Sequence, residues 1–281
     1  MTSSRRQNFD AATVRGFGEE WSAFDQRILQ DAELRAIFDC YFGIFPFESL
    51  PVRAEGFDLG CGSGRWADLV LQRVGVLHCI DASERALGVA RQRLAGRDGA
   101  LFHCASVDDM PIADDSQDFG YSLGVLHHVP DTATALAECV RKLKPGAPFL
   151  LYLYYRFDNR PAWYRWLWGA TDIVRKVLSR LPFGLRKLAT DAIACAVYWP
   201  MARSARVLKR SGFDVSHLPL AGYRDLSLYT MRTDALDRLG TRVEHRFTRA
   251  EIDGMMREAG LADIWFSERL PYWVACGRRA G

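Results

Sequence analysis

A chain of 281 residues, 49% of them hydrophobic, can form one large domain with an insertion or two smaller ones, and has apolar material for a sizeable core. Its formal net charge of +3 is too small to point to nucleic acid as a partner. Seven cysteines, at 40, 61, 79, 104, 139, 195 and 276, are scattered, odd in number and without a CxxC pair. That pattern argues against a disulfide framework or a metal site and for reduced thiols in the cytoplasm.

Residues 1–14 are polar and expected to be mobile, and the opening Met-Thr-Ser-Ser-Arg-Arg lacks the apolar segment of a secretory signal. Residues 15–50 carry Phe17, Trp21, Phe24, Phe38, Tyr41, Phe42, Phe45 and Phe47, and read as helices. The segment 1–50 is therefore a helical lead-in or lid, with Phe17-Gly18-Glu19-Glu20-Trp21 placed either to close over a ligand or to pack in the core. From 51 to 155 strand and helix alternate. Strands are predicted near 54–59, 76–81, 100–105, 118–124 and 148–155, and helices near 63–73, 83–95 and 131–143, with Ser83 and Asp131 as N-caps. Such alternation calls for a parallel sheet covered by helices on both faces.

The first strand runs into Asp58-Leu59-Gly60-Cys61-Gly62-Ser63-Gly64. Glycine lets the backbone reach positive φ and lets a ligand sit directly on it, so a Gly-rich strand-to-helix turn can cradle a cofactor. Asp81 ends the second strand 21 residues after Gly60, where an acid can accept both hydroxyls of a ribose. The pattern is Gly-x-Gly-x-Gly and follows an acid. This disfavours a dinucleotide and suits a ligand with an ammonium group. Asp58 either serves that group or only holds the turn.

Residues 156–246 interrupt this pattern. Trp163, Trp166, Leu167, Ala170, Ile173, Val174, Val177, Leu178 and Leu181 fall on one helical stripe, and the charges from Arg160 to Lys187 are mostly basic. Two readings stand: a lid whose stripe is buried against the domain or a partner subunit while its basic face stays wet, or peripheral contact with anionic lipid through 160–187. A second apolar helix is expected near 189–209. Residues 217–246 are more polar. The chain returns to its first pattern in 247–281, where Thr248-x-x-Glu251 is a capping box and Gly260 a helix C′ residue. Two antiparallel strands, 262–269 and 272–277, follow on either side of Pro271.

The glycine turn, Asp81, the segment Ser106–Ile112, the strand Asp118–Val129 with its paired histidines, and the turn Leu143–Pro148 occur in one order across 52–155. This set resembles the class I S-adenosylmethionine-dependent methyltransferases of the small-molecule, type 11-like kind. The resemblance implies a doubly wound Rossmann-like sheet of order 3-2-1-4-5-7-6 with an antiparallel edge strand, plus the insertion as a helical substrate lid. It implies S-adenosyl-L-methionine as cofactor. The contacts would come from Asp58, Gly60, Cys61, Gly62 and Gly64 in the turn, Asp81 and Ala82 at the ribose, and Leu123 at the end of the fourth strand. Ser106, Val107 and Asp108 would surround the adenine. The family often has Asp where this chain has Ser106, so adenine N6 falls to Ser106, to Asp108 or to backbone.

His127 and His128 leave the fourth strand at the sheet edge where ligands sit. Neighbouring side chains face different ways, so one at most is expected in the pocket. The resemblance puts His127 nearer the substrate, as a general base; otherwise both are structural. Tyr152, Tyr154, Tyr155, Tyr223, Tyr229, Arg232 and Arg238 mix aromatic surface with fixed cations and are the candidates for contact with a small, partly polar acceptor. The function expected is methylation of a small molecule such as a biosynthetic intermediate, a sugar or an amino-acid-derived acid, by a monomer or homodimer. Two alternatives are an enzyme of the same fold that cyclises the aminobutyryl arm of the cofactor, and a non-catalytic cofactor-binding scaffold.

Overall fold

The computed structural model describes residues 8–26 and 28–281, so the first seven residues of the polar N-terminal segment lie outside the described residues. In chain order the elements are α1 (Ala11–Ala23), α2 (Asp31–Phe42), β1 (Glu55–Leu59), α3 (Arg65–Val70), β2 (Val76–Asp81), α4 (Glu84–Arg93), β3 (Ala100–Cys104), β4 (Phe119–Leu123) and α5 (Thr132–Lys142). Then come β5 (Pro148–Tyr152), α6 (Ala162–Leu178), α7 (Phe183–Ile193), α8 (Trp199–Arg210), α9 (Leu228–Gly240), α10 (Arg249–Glu258), β6 (Leu261–Phe266) and β7 (Val274–Arg279). They fall into two compact units. A sheet unit takes the chain up to Gln26, Ile37–Tyr155 and Val243–Gly281; a helical unit takes Arg156–Arg242 and the segment ending at Ala36.

The sheet has the order β3-β2-β1-β4-β5-β7-β6. The first five strands are parallel, and β7 runs antiparallel to both β5 and β6. Its helices start where their caps dictate. The Ser83 hydroxyl accepts from Ala86 N–H at the head of α4, Asp131 accepts from Thr134 N–H at the head of α5, and Thr248 and Glu251 complete a capping box on α10. Every residue of β5 is buried, as a strand covered on both faces must be. Phe57, Leu151 and Ile252 belong to one core cluster, while Phe42 and Phe45 pack on Tyr121 and Phe119 with ring centroids 5.1 and 6.0 Å apart. The first of the last two strands is shorter than the sequence reading and the second is shifted by two residues, because Ser267–Trp273 forms their connection around Pro271. The expected mobility of 8–14 is corrected: Ala11 opens α1, and Asn8 is tied to Asp108 and Asp131.

In the helical unit, α9 packs against α6 and α7, and Ala194, Tyr198, Ala202, Tyr223, Met231 and Ala235 form a small core. The predicted second helix begins earlier, at Phe183, and runs through a π-helical turn at Ala194–Tyr198 into α8. The face that α6 turns inward is not the expected one. Arg175 is buried, with its Nη1 donating to the carbonyls of Thr241 and Arg242 (3.0 and 3.2 Å) just past the end of α9 and its Nε donating to Asp172. Arg186 donates to Gly240 O. Carbonyls at a helix C-terminus have no partner in the helix and attract a cation, so the Arg175 face goes in. Trp166, Ile173 and Val177 lie on the opposite side of α6 and are exposed, which corrects the expectation of a stripe buried within the chain.

Candidate active site

Strand β1 pairs with β2 on one side and β4 on the other, so the chain leaves β1 and β4 in diverging directions and opens a crevice beyond their C-terminal ends. A cavity of about 830 Å³, counting its mouth, lies there. Its floor is Leu59, Gly60, Asp81, Ala82, Ala105, Ser106 and Val107; Leu123–Leu126, His128 and Val129 form one wall. Asn8, Phe9, Asp10, Thr13, Val14, Phe17 and Trp21 close it from the N-terminal side.

The glycine turn has the strained backbone that only glycine takes easily, with φ of +79° at Gly60 and +53° at Gly62. A Cβ on Gly60 would stand 2.2 Å from Val125 Cγ2, and one on Gly62 would stand 2.9 Å from the Trp21 ring. Gly60 lines the cavity, while Cys61, Gly62 and Gly64 stand behind the lining. Gly62 N–H donates to Asp81 Oδ2 (3.0 Å) and Ser83 N–H to Oδ1 (2.8 Å), which fixes the carboxylate in place with acceptor capacity left on each oxygen. Burial pushes the Asp81 carboxyl up to about 6, against the pull of those two donors.

Asp58 is not in the lining. It is buried and accepts a hydrogen bond from the Tyr121 hydroxyl (2.9 Å), and burial pushes its carboxyl up to about 8 in spite of that bond. The expected anion beside the turn is therefore a largely protonated acid at neutral pH, because desolvation and the neighbouring Asp81 outweigh the opposing pull of Tyr121 and Arg65. Asp108 also stands off the lining. Its carboxylate accepts from Asn8 N–H (2.9 Å) and the Asn8 side-chain amide (3.2 Å), while Asn8 Oδ1 accepts from Asp131 N–H (2.8 Å). Ser106 is in the lining, and its hydroxyl is buried with no hydrogen-bond partner among the described residues.

The histidines exchange their expected places. His128 lines the cavity, 5.0 Å from Phe17 between ring centroids, and its Nδ1 lies 2.7 Å from Val243 O. A carbonyl can only accept, so Nδ1 carries the proton and Nε2 is the basic nitrogen. His127 is fully buried and outside the lining, stacked on Tyr154 at 3.9 Å. Burial, then the neighbouring His128, Arg246 and His245, hold it well below the ordinary histidine value. The expected base, His127, is thus corrected to a neutral packing residue. A turn of 3-10 helix at Leu126–His128 decides which of the two rings points inward.

None of the seven proposed acceptor contacts is in the lining. Tyr152 and Tyr154 are buried, and Tyr155 stacks on Tyr272. The Tyr223 hydroxyl donates to Asp234 (2.7 Å), Arg238 lies over the Tyr223 ring, and Arg232 makes a two-pronged pair with Asp191 (2.9 and 2.8 Å). The Tyr229 carbonyl accepts from the Thr233 hydroxyl. These contacts lie within each unit, and none of the seven side chains is in the lining, which corrects their assignment as contacts in this cavity. Phe17 and Trp21, expected to close over the ligand or pack in the core, both line the cavity. Sequence reasoning missed Asn8, Phe9, Asp10, Thr13 and Val14; the Asp10 N-cap of α1, accepting from Thr13 N–H, was the one local signal.

A methyltransferase-domain family model matches residues 57–151. A ubiquinone biosynthesis O-methyltransferase of Thiobacillus denitrificans is 28% identical over 180 residues, covering 63% of this chain and 72% of that protein. A malonyl-[acyl-carrier protein] O-methyltransferase of Methylococcus capsulatus is 25% identical over 162 residues, covering 57% of each. Among solved structures, the methyltransferase SibL matches with a TM-score of 0.53 at 14% identity, over 88% of this chain and 55% of that one. A methyltransferase solved with the Haloferax volcanii Trm112 activator matches with a TM-score of 0.50 at 17% identity, over 94% and 98%.

Proposed function

We propose that this chain, which belongs to the class I S-adenosylmethionine-dependent methyltransferases, methylates an oxygen of a small biosynthetic molecule in the cavity of its sheet unit. S-Adenosylmethionine is its cofactor, and when bound it supplies a methyl group on a positively charged sulfur, already activated for displacement. The observation that carries the reading is the cavity lining, where a fixed carboxylate, an unpartnered hydroxyl and a histidine converge. These residues fit the cofactor. Asp81 would accept the ribose hydroxyls, Ser106 has an unused hydroxyl for the adenine edge, and the bare backbone of Gly60 leaves room beside Val125.

The chain's own contribution is to bind, align and dry. Phe9, Val14, Phe17 and Trp21 wall the cavity with apolar surface, and aromatic faces suit a cation. Alignment of two reacting groups is worth up to ~7–11 kcal/mol. His128 would serve as the base for an acceptor hydroxyl through its buried Nε2, and its Nδ1–H bond to Val243 O keeps that tautomer. The two O-methyltransferase relatives support an oxygen acceptor. Free thiols at all seven cysteines support a reducing, cytoplasmic setting.

The test is product analysis with labelled cofactor and a panel of hydroxyl- and carboxyl-bearing acceptors. S-Adenosylhomocysteine formed with a methylated oxygen is the expected outcome. Methylthioadenosine would instead identify cyclisation of the cofactor's own arm, and binding without any product would identify a scaffold.

A further inference from the structure

Nineteen large apolar side chains are exposed among the described residues, and fifteen of them lie between Trp163 and Leu218. Trp166 is 82% exposed, Leu188 67%, Ile173 65%, and Val207 and Phe213 62% each. Single exposed apolar residues are ordinary, but such a concentration on successive helices marks a surface meant to meet something apolar. No helix among the described residues is long and apolar enough to cross a membrane.

Charge identifies the partner. From Arg160 to Phe213 there are eleven lysines and arginines against two aspartates, in a chain whose total is only +3. Both aspartates are already in ion pairs, Asp172 with Arg175 and Lys176, and Asp191 with Lys187 and Arg232. Arg165, Lys176, Arg180, Lys209 and Arg210 are exposed. On α6 Arg165 and Lys176 follow one edge of the stripe that holds Trp166, Ile173 and Val177, and Arg180 lies just past the end of that helix. Exposed apolar side chains bordered by cations match a layer of hydrocarbon beneath a layer of phosphate. A second copy fits poorly, because a two-fold interface would set this basic surface against itself.

We propose that the helical unit docks peripherally on an anionic lipid bilayer, with Trp166, Ile173 and Val177 entering the headgroup boundary and the neighbouring cations lying among the phosphates. The docking is independent of the acceptor chemistry proposed above.

The full chain is to be sedimented with vesicles of phosphatidylglycerol and phosphatidylcholine in equal parts, and with vesicles of phosphatidylcholine alone. Most of the protein should pellet with the anionic vesicles at low salt, and the affinity should fall at least ~10-fold at about 0.5 M salt or without the anionic lipid. The triple variant Trp166→Ser, Ile173→Ser, Val177→Ser should lose at least ~10-fold in affinity while keeping its melting temperature and its binding of S-adenosylhomocysteine. The charge variant Arg165→Glu, Lys209→Glu, Arg210→Glu should lose a similar factor and stands as a second test should the triple variant not fold. Three results would overturn the proposal: no pelleting with anionic vesicles, pelleting that both variants retain, or a dimer in sedimentation velocity that the triple variant dissolves.

Discussion

In the sheet unit Phe57, Phe119, Tyr121 and Phe149 are wholly buried, whereas in the helical unit Trp166, Ile173 and Val177 stand in solvent. Of the nineteen exposed large apolar residues described, sixteen belong to the helical unit. The polar groups show the reverse. The sheet unit buries Asp58, Ser106 and His127 around or behind its cavity, each at a desolvation cost that stability alone does not explain. The helical unit spends its inward polar groups on itself: Arg175 and Arg186 hold the end of α9, and Tyr223 meets Asp234. One unit is built to enclose a ligand; the other is closed on the inside and open on the outside.

The sharpest way to break this contrast is at His128. If the sheet unit holds the chemistry, His128→Ala should lower turnover by ~10²–10⁴-fold while the dissociation constant of S-adenosylhomocysteine stays within about threefold. A His127→Leu variant should lose far less, since that ring lies outside the cavity. Equal losses of turnover in both folded variants would return the base to His127.

Asp81→Ala should weaken cofactor binding at least ~10-fold, because hydrogen bonds to a charged acceptor are worth ~1.5–3 kcal/mol each. Calorimetry on the folded variant reads the loss, and an unchanged dissociation constant would reduce Asp81 to a brace for the Gly62 and Ser83 amides.

The raised carboxyls give two pH effects of opposite sense. Ribose hydroxyls donate to the ionised Asp81, so cofactor affinity should fall as pH drops through about 6, by at most ~10-fold per pH unit, and Asp81→Asn should flatten the profile. Stability runs the other way. Asp58 and Asp81 have folded values above their ordinary 3.8, so the folded state holds protons that the unfolded state releases. Their contribution to stability is greatest in acid and is lost as pH rises, through about 6 for Asp81 and about 8 for Asp58. Melting temperature should therefore decline from about pH 4 and level off above about 8, and Asp58→Asn should remove most of the decline between about 6 and 8.

Smaller effects sharpen the comparison from each side. Asn8→Ala removes the ties to Asp108 and Asp131 that pin the N-terminal wall, and should speed S-adenosylhomocysteine release by roughly fivefold, about the worth of one net hydrogen bond. Arg232→Ala in the helical unit breaks a partly exposed pair with Asp191, and should cost no more than ~1 kcal/mol of stability. Its cofactor affinity should not change; a loss of affinity there would mean that the helical unit serves the cavity after all.

Much of the sheet unit was legible from local pattern. The glycine turn requires positive φ, Ser83, Asp131 and Thr248 announce helix starts, and apolar runs alternate with amphipathic helices, so each element of the α/β core is written in a few neighbouring residues. Asp81 was readable for the same reason, because a strand end and a helix start bring its carboxylate to the amides of Gly62 and Ser83. What tertiary structure decided was direction. Periodicity shows that α6 has two faces, but the open carbonyls at the end of α9, more than sixty residues away in sequence, drew Arg175 inward and left the Trp166 side outside. The same holds for the paired histidines. Their adjacency suggested that at most one enters the pocket, and only the 3-10 turn and the Val243 carbonyl settled that it is His128, with the His127 ring packed beside it at 4.0 Å. Local chemistry sets which elements form; which face is buried depends on what long-range partners leave unsatisfied.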